Sequence, residues 1–283
     1  MKIFGNKKIL IILIAIITFI FFWDHNKFVS KQHEISKNIS SIFKDNAKNE
    51  FFFIAHAGGG INNSKYTNSL EAINKAIKNG YKLIEIDLIE TSDKKLVGAH
   101  DWKLFSKLAN CCENKIPNLK EFNSSKILEN LTPVDYNMIN KIFSKNKELI
   151  LVTDKTNNFD LINDLFIFDD KRIIVEVFGR KNYFDAIKKG IKNPMYSASI
   201  KHTKNEMNFI NDYNIQIISV NSEDFIENYH QYKKLKNKGV IIFVYTTNDL
   251  KFVNETRDIA SSFYSDFINI NSMICETSKC ETY

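Results

Sequence analysis

Arginine is nearly missing from this chain: Arg172, Arg180 and Arg257 are the three among 39 basic residues. The net charge of +6 is also unevenly placed, because residues 1–50 carry eight lysines against four acids while the rest holds 31 basic and 29 acidic residues. A nearly neutral body with so few guanidinium forks argues against nucleic acid as a partner. The four cysteines, Cys111, Cys112, Cys275 and Cys280, include no Cys-x-x-Cys pair and have no histidine beside them, which excludes a structural zinc site. They read as bridges or free thiols, with Cys275 and Cys280 spaced to close a short C-terminal loop. Proline occurs three times, and no internal repeat or low-complexity tract is present.

Long apolar runs are scarce as well. The longest charge-free one, Ile9 to Trp23, has fifteen residues, short of the roughly 17–20 that cross a bilayer. Ile3-Phe4-Gly5 extend it if Lys7 and Lys8 snorkel. A cleaved signal peptide ends in small residues, whereas this run ends in Phe21-Phe22-Trp23. The expectation is therefore an uncleaved anchor at 1–23, single-pass in the inner membrane, with lysines before the span placing the body outside. Secretion after cleavage is the alternative. Residues 24–50, rich in Lys, Asn and Ser, read as a polar stalk.

What is present from residue 51 onward is an alternation. Strand-like runs occur at 51–56, 83–89, 149–153, 172–178, 195–199, 215–220, 240–245 and 259–264, with helix-like segments between them. Eight strands in a β-α series predict a closed (β/α)8 TIM barrel over 51–283; a doubly wound open sheet is the alternative. Asn68-Ser69-Leu70-Glu71 has the spacing of a capping box, and Gly80 stops the helix that follows. An irregular stretch at 102–147 breaks the rhythm. With 283 residues and 44% hydrophobic content, the chain can bury a core of that size.

Chemistry-bearing residues gather at the predicted strand ends, where barrels place their active sites. Glu85 and Asp87 are two apart in an apolar run, so both leave one face of the strand. Converging buried carboxylates need a cation, and a hard divalent ion with oxygen ligands is the natural one. Asp154 ends the next barrel strand as a third ligand candidate. His56 and His100 lie at strand ends 44 residues apart, and imidazoles suit both proton transfers of phosphodiester cleavage. Gly58 and Gly59 open a glycine turn able to present N–H groups to a phosphate.

His56-Ala57-Gly58, Thr67-Asn68-Ser69-Leu70-Glu71-Ala72, Glu85-Ile86-Asp87, Thr91-Ser92-Asp93 and His100-Asp101 together resemble the glycerophosphodiester phosphodiesterase family. The likeness is close over 52–102 and fainter at Asp154-Lys155, Tyr245-Thr246-Thr247-Asn248 and Ser265-Asp266. It implies a barrel with an insertion after the second strand, here 102–147. It also implies Ca2+ or Mg2+ on Glu85, Asp87 and Asp154, and His56 and His100 as the acid–base pair, with His56 favoured as acid and His100 as base. Asn68 and Lys155 join Gly58 and Gly59 as substrate-binding candidates. The implied reaction is metal-dependent hydrolysis of a glycerophosphodiester to glycerol 3-phosphate and an alcohol, with attack by a substrate hydroxyl through a cyclic phosphate as one route. Three positions depart from the family pattern. Ala57 stands where an arginine is usual, Thr67 where a glutamate is usual, and Lys155 follows its acid directly instead of two residues later. A lipid headgroup or a phosphodiester-linked envelope glycan is the alternative substrate. Two other readings remain: a metal-independent, phospholipase C-like phosphodiesterase, and an inactive anchored envelope-binding module. Oligomeric state is open.

Overall fold

The computed structural model describes residues 53–275 and 280–282, together with 14, 27–28, 30–35 and 37–38. Apart from those positions, the expected anchor at 1–23 and stalk at 24–50 lie outside the described residues. Among the described residues no helix is long and apolar enough to cross a membrane.

In chain order the first nine strands are β1 (Phe53–Ala55), β2 (Leu83–Glu90), β3 (Leu96–Gly98), β4 (Ile150–Asp154), β5 (Ile173–Phe178), β6 (Asn193–Ser197), β7 (Ile217–Asn221), β8 (Ile241–Tyr245) and β9 (Ser262–Ser265). All except β3 are parallel and neighbour each other in chain order, and β1 pairs with both β2 and β9. The sheet therefore closes into an eight-stranded barrel, and the open-sheet alternative is excluded. Strands such as β2 and β5 are apolar on both faces because helices cover the outside and side chains fill the inside. Phe53, Phe143, Phe243, Phe263, Tyr183 and Tyr232 are fully buried there.

The helices are α1 (Leu70–Lys78), α2 (Trp102–Ala109), α3 (Leu119–Ser124), α4 (Tyr136–Lys145), α5 (Phe159–Leu165), α6 (Arg180–Lys188), α7 (Glu206–Asp212), α8 (Ser222–Glu227), α9 (Tyr229–Asn237) and α10 (Leu250–Thr256). The segment between β2 and β4 divides by its packing. Val97, Phe105, Phe122, Ile127 and Leu131 form a separate small core, whereas Ile139 and Phe143 of α4 join the barrel core. The irregular part expected at 102–147 thus begins earlier, with β3 antiparallel to the end of β2. It also stops earlier, because α4 is the crossover helix that returns the chain to β4.

Two local expectations need correction. The cap of α1 is Ser69, which accepts the Ala72 N–H at 3.3 Å. Asn68 is turned away to another partner, and Glu71 accepts from the backbone and hydroxyl of Thr132, so no capping box forms. The 24–50 segment is also not uniformly a solvated stalk. Its described residues from 27 to 38 are helical, and Phe28, Gln32 and Ile35 share one helical face by their spacing. Phe28 meets Phe184 and Tyr213 edge-on, Gln32 donates to the Tyr183 hydroxyl, and Ile35 is part of the barrel core. At the other end, strands β10 (Met273–Cys275) and β11 (Cys280–Thr282) form a hairpin that sets Cys275 opposite Cys280. Cys280 is disulfide-bonded and Cys111 and Cys112 are free thiols.

Candidate active site

The carboxyl ends of β1, β2, β4 and β9 converge on one acidic centre. Glu85 and Asp87 project inward from β2, and the register of β2 with β4 sets Asp154 beside Asp87. Glu85, Asp87 and Asp154 are all buried, and one oxygen from each lies within 4.8 Å of the others. At that separation, two carboxylates repel by about 3 kcal/mol at an effective dielectric constant of about 20. Burial, then the Asp87 and Asp154 charges, push the Glu85 carboxyl well above its ordinary range. Burial, then Asp87 and Glu176, do the same to Asp154.

The cluster is only partly satisfied from within. The Ala57 N–H donates to Glu85 Oε2 at 2.6 Å. Asn68 clamps Asp87, donating from Nδ2 to Oδ2 at 2.9 Å while its Oδ1 accepts the Asp87 N–H at 3.0 Å. Lys155 Nζ lies 2.7 Å from Asp154 Oδ2 and 3.3 Å from Asp87 Oδ1. It reaches them because β4 ends at Asp154 and Lys155 takes φ +65°, which turns the chain back over the strand end. Burial lowers the Lys155 pKa, but Asp154 and Asp87 outweigh that and raise it. Glu85 Oε1 and Asp154 Oδ1 remain buried with no hydrogen-bond partner. Three carboxylates against one ammonium carry two net negative charges when all are ionised, and two of their oxygens are buried without partners. That donor set fits a hard divalent cation.

Each histidine is oriented by an aspartate. His56 Nδ1 is 2.9 Å from Asp266 Oδ1, and Lys65 Nζ and Asn248 Nδ2 hold the other Asp266 oxygen at 3.0 and 3.1 Å. Burial raises the Asp266 pKa, but the His56, Asn248 and Lys65 contacts prevail and hold it below the ordinary value. His100 Nδ1 is 2.7 Å from Asp101 Oδ2. The other Asp101 oxygen caps α2 by accepting the Leu104 N–H at 2.8 Å, the main reason its pKa is lowered. With ionised aspartates as acceptors, each Nδ1 donates and each Nε2 is left for chemistry. The Tyr66 ring lies between the two imidazoles, edge-on to both, with centroids 4.7 Å from His56 and 5.0 Å from His100.

The structure thus brings together His56, His100, Glu85, Asp87, Asp154, Asn68 and Lys155. Asn68 serves the site through Asp87. In the glycine turn expected to cradle a phosphate at Gly58 and Gly59, the Gly59 N–H donates to the His56 carbonyl at 2.8 Å and the Gly60 N–H to the Asp266 carbonyl at 2.6 Å. Ala57 is fully buried. Lys65 and Lys155 are the cations at this mouth. No role for Asp101, Asp266, Lys65, Tyr66 or Glu176 was evident from sequence. Glu176 has the same signal as Glu85, an acid inside an apolar strand. It accepts from Ser219 Oγ at 2.7 Å and Tyr264 OH at 3.1 Å, deeper in the barrel.

Gly60 is where loop and last strand touch. A Cβ there would stand 2.8 Å from the Asp266 carbonyl oxygen and inside the Phe267 ring. Gly60→Ala is expected to cost about 1–3 kcal/mol by overpacking and to lower kcat by shifting Asp266 under His56. Thermal unfolding and initial rates on the same preparation check both effects.

A closed barrel whose strand ends carry a buried acid triad and two aspartate-held imidazoles has the parts of a phosphodiesterase of the β/α-barrel class. Residues 56–267 match the model of the glycerophosphoryl diester phosphodiesterase family, and the chain belongs to that family of phosphoric diester hydrolases. No curated protein matches the sequence. Solved structures share the fold at low identity. A glycerophosphodiester phosphodiesterase from Thermotoga maritima is 21% identical with a TM-score of 0.59, the match covering 76% of this chain and 93% of that one. One from Parabacteroides distasonis is 18% identical with a TM-score of 0.60, covering 77% and 93%. A phosphodiesterase from Oleispira antarctica, solved with the product sn-glycerol-3-phosphate, is 15% identical with a TM-score of 0.62, covering 78% and 95%.

Proposed function

We propose that this protein hydrolyses glycerophosphodiesters to glycerol 3-phosphate and an alcohol, using a divalent cation, Ca2+ or Mg2+, on Glu85, Asp87 and Asp154. The observation that carries the reading is the pair of orphaned buried oxygens, Glu85 Oε1 and Asp154 Oδ1, flanked by two imidazoles with free Nε2 atoms. The Oleispira relative was solved with the product sn-glycerol-3-phosphate, which supports the substrate class. When bound, the cation would offset charge on the non-bridging phosphate oxygens. The chain's own groups do the rest. One imidazole takes the proton of the attacking oxygen, from water or a substrate hydroxyl, as the new P–O bond forms. The other gives a proton to the alcohol oxygen as the old P–O bond breaks. Asp266 and Asp101 stabilise the imidazolium forms and fix the ring orientations. Tyr66 packs edge-on against both rings.

The full chain with glycerophosphocholine, assayed with and without chelator, tests this. Turnover that stops on chelation and returns with Ca2+ or Mg2+ supports it. Chelator-resistant turnover would favour the metal-independent, phospholipase C-like chemistry. Binding without turnover would favour an anchored binding module. Anchorage through 9–23 with an exported body is part of the same proposal. It is checked by membrane fractionation and by protease access to the barrel in intact cells.

A further inference from the structure

A groove of about 1190 Å3 begins at Tyr66 and His100 and runs along α2 and the loop 110–116. Small-ligand sites typically span about 300–1,000 Å3, so a headgroup as small as choline would leave most of this one unfilled. Its lining has two kinds of chemistry. Trp102 and Ile116 supply apolar surface, and Ile116 is 49% exposed. Lys103 and Lys107 are one helical turn apart, both exposed. Residues so spaced stand side by side, about 5–6 Å between Cβ atoms. Neither has an ion-pair partner among the described residues, whereas nearby Lys115 is paired with Glu121. Of the acids that line the groove, Asp101 is engaged by His100 and the Leu104 N–H, which leaves Glu113 alone to oppose two ammonium groups.

We infer that this groove receives the alcohol half of the phosphodiester, and that it fits a polyol which itself carries a phosphate, held by Lys103 and Lys107. This rests on the hydrolytic reading above and narrows it. It also reverses the assignment favoured from sequence. His100 stands at the head of the groove and His56 does not line it. His100 Nε2 therefore protonates the alcohol oxygen, which keeps the electron pair of the breaking P–O bond, and His56 Nε2 takes the proton of the attacking oxygen.

The test compares glycerophosphoinositol with glycerophosphoinositol 4-phosphate, on the full chain with Mg2+ or Ca2+. The phosphorylated substrate is expected to have a kcat/KM roughly tenfold higher, as two exposed charge contacts would give, mostly through KM. The K103E/K107E variant should collapse that ratio to one or below. A ratio near one in the unaltered chain, or one insensitive to K103E/K107E, overturns the inference while leaving hydrolysis itself intact. If neither these substrates nor glycerophosphocholine is turned over, the hydrolytic reading fails. Calorimetric titration with inositol 4-phosphate then decides the groove: binding weakened by K103E/K107E supports it, and no binding overturns it.

Discussion

Replacing His56 or His100 with alanine is expected to lower kcat on glycerophosphocholine by about 10²–10⁴, the usual worth of one positioned acid or base, with little change in KM. The two losses should not add in the double variant, because each proton transfer loses its purpose without the other. The leaving group separates the roles. A nitrophenolate departs without a proton, so with a glycerophospho-nitrophenyl ester the His100→Ala deficit should shrink while the His56→Ala deficit persists. Equal deficits with both leaving groups would refute the assignment of His100 as acid. Asp266→Asn should resemble a milder His56→Ala, since it removes the charge that keeps the Nδ1–H tautomer. Lys65 and Asn248 would keep the position occupied. Steady-state rates on variants with native circular dichroism decide these points.

The second large effect concerns the acid triad and runs against the habit of carboxylates. Folded-state pKa values of Glu85 and Asp154 lie above their ordinary values of 4.5 and 3.8. Between those values and the raised ones, the folded metal-free protein holds protons that the unfolded chain has released. Stability therefore falls as pH rises through that window, and is greatest at its acid end. Lys155 does not reverse the trend, because its raised pKa matters only above 10.5. Chelated protein should thus melt at a lower temperature at pH 7 than at pH 5. A divalent cation at about 100 times its Kd should add about 2.7 kcal/mol, or roughly 5–10 °C for a chain of this size. Protons compete for the same oxygens, so its effect should be larger at pH 7 than at pH 5. Glu85→Gln carries this further. It removes one like charge and keeps an oxygen for the Ala57 N–H. It should stabilise chelated protein by about 1–3 kcal/mol and abolish metal-dependent turnover. A Glu85→Gln protein that melts lower than the parent in chelator would contradict the repulsion argument.

Much of this site could be read from the sequence because it is local. A two-residue spacing dictates that Glu85 and Asp87 share a face, and an apolar strand around them dictates burial. The barrel was legible through strand rhythm, since each buried strand needs apolar residues on both faces. What could not be read depends on distant pairs or on backbone hand. Asp266 finds His56 across 210 positions, joined only because β1 and β9 close the barrel. Asp101 was visible beside His100, but its cap of α2 and its hold on the ring are a matter of rotamer. Spacing in the glycine turn also could not show that the Gly59 and Gly60 N–H groups are bonded within the protein. Residues 136–145 look irregular beside Pro133, and packing of Ile139 and Phe143 alone assigns them to the barrel. Lys155 looked one residue out of register, and a positive φ brings it back.

The wall of the barrel is thinnest at β1, three residues long, yet that strand delivers His56. The turn after it is stitched to the final strand by the Gly60 N–H and by Lys65, both on Asp266. The first and last staves of the cask are therefore fastened through the groups proposed to do the chemistry. Any loosening of that joint, by heat or denaturant, will silence turnover before the rest of the cylinder melts, making enzymatic rate a gauge of whether the ring is shut.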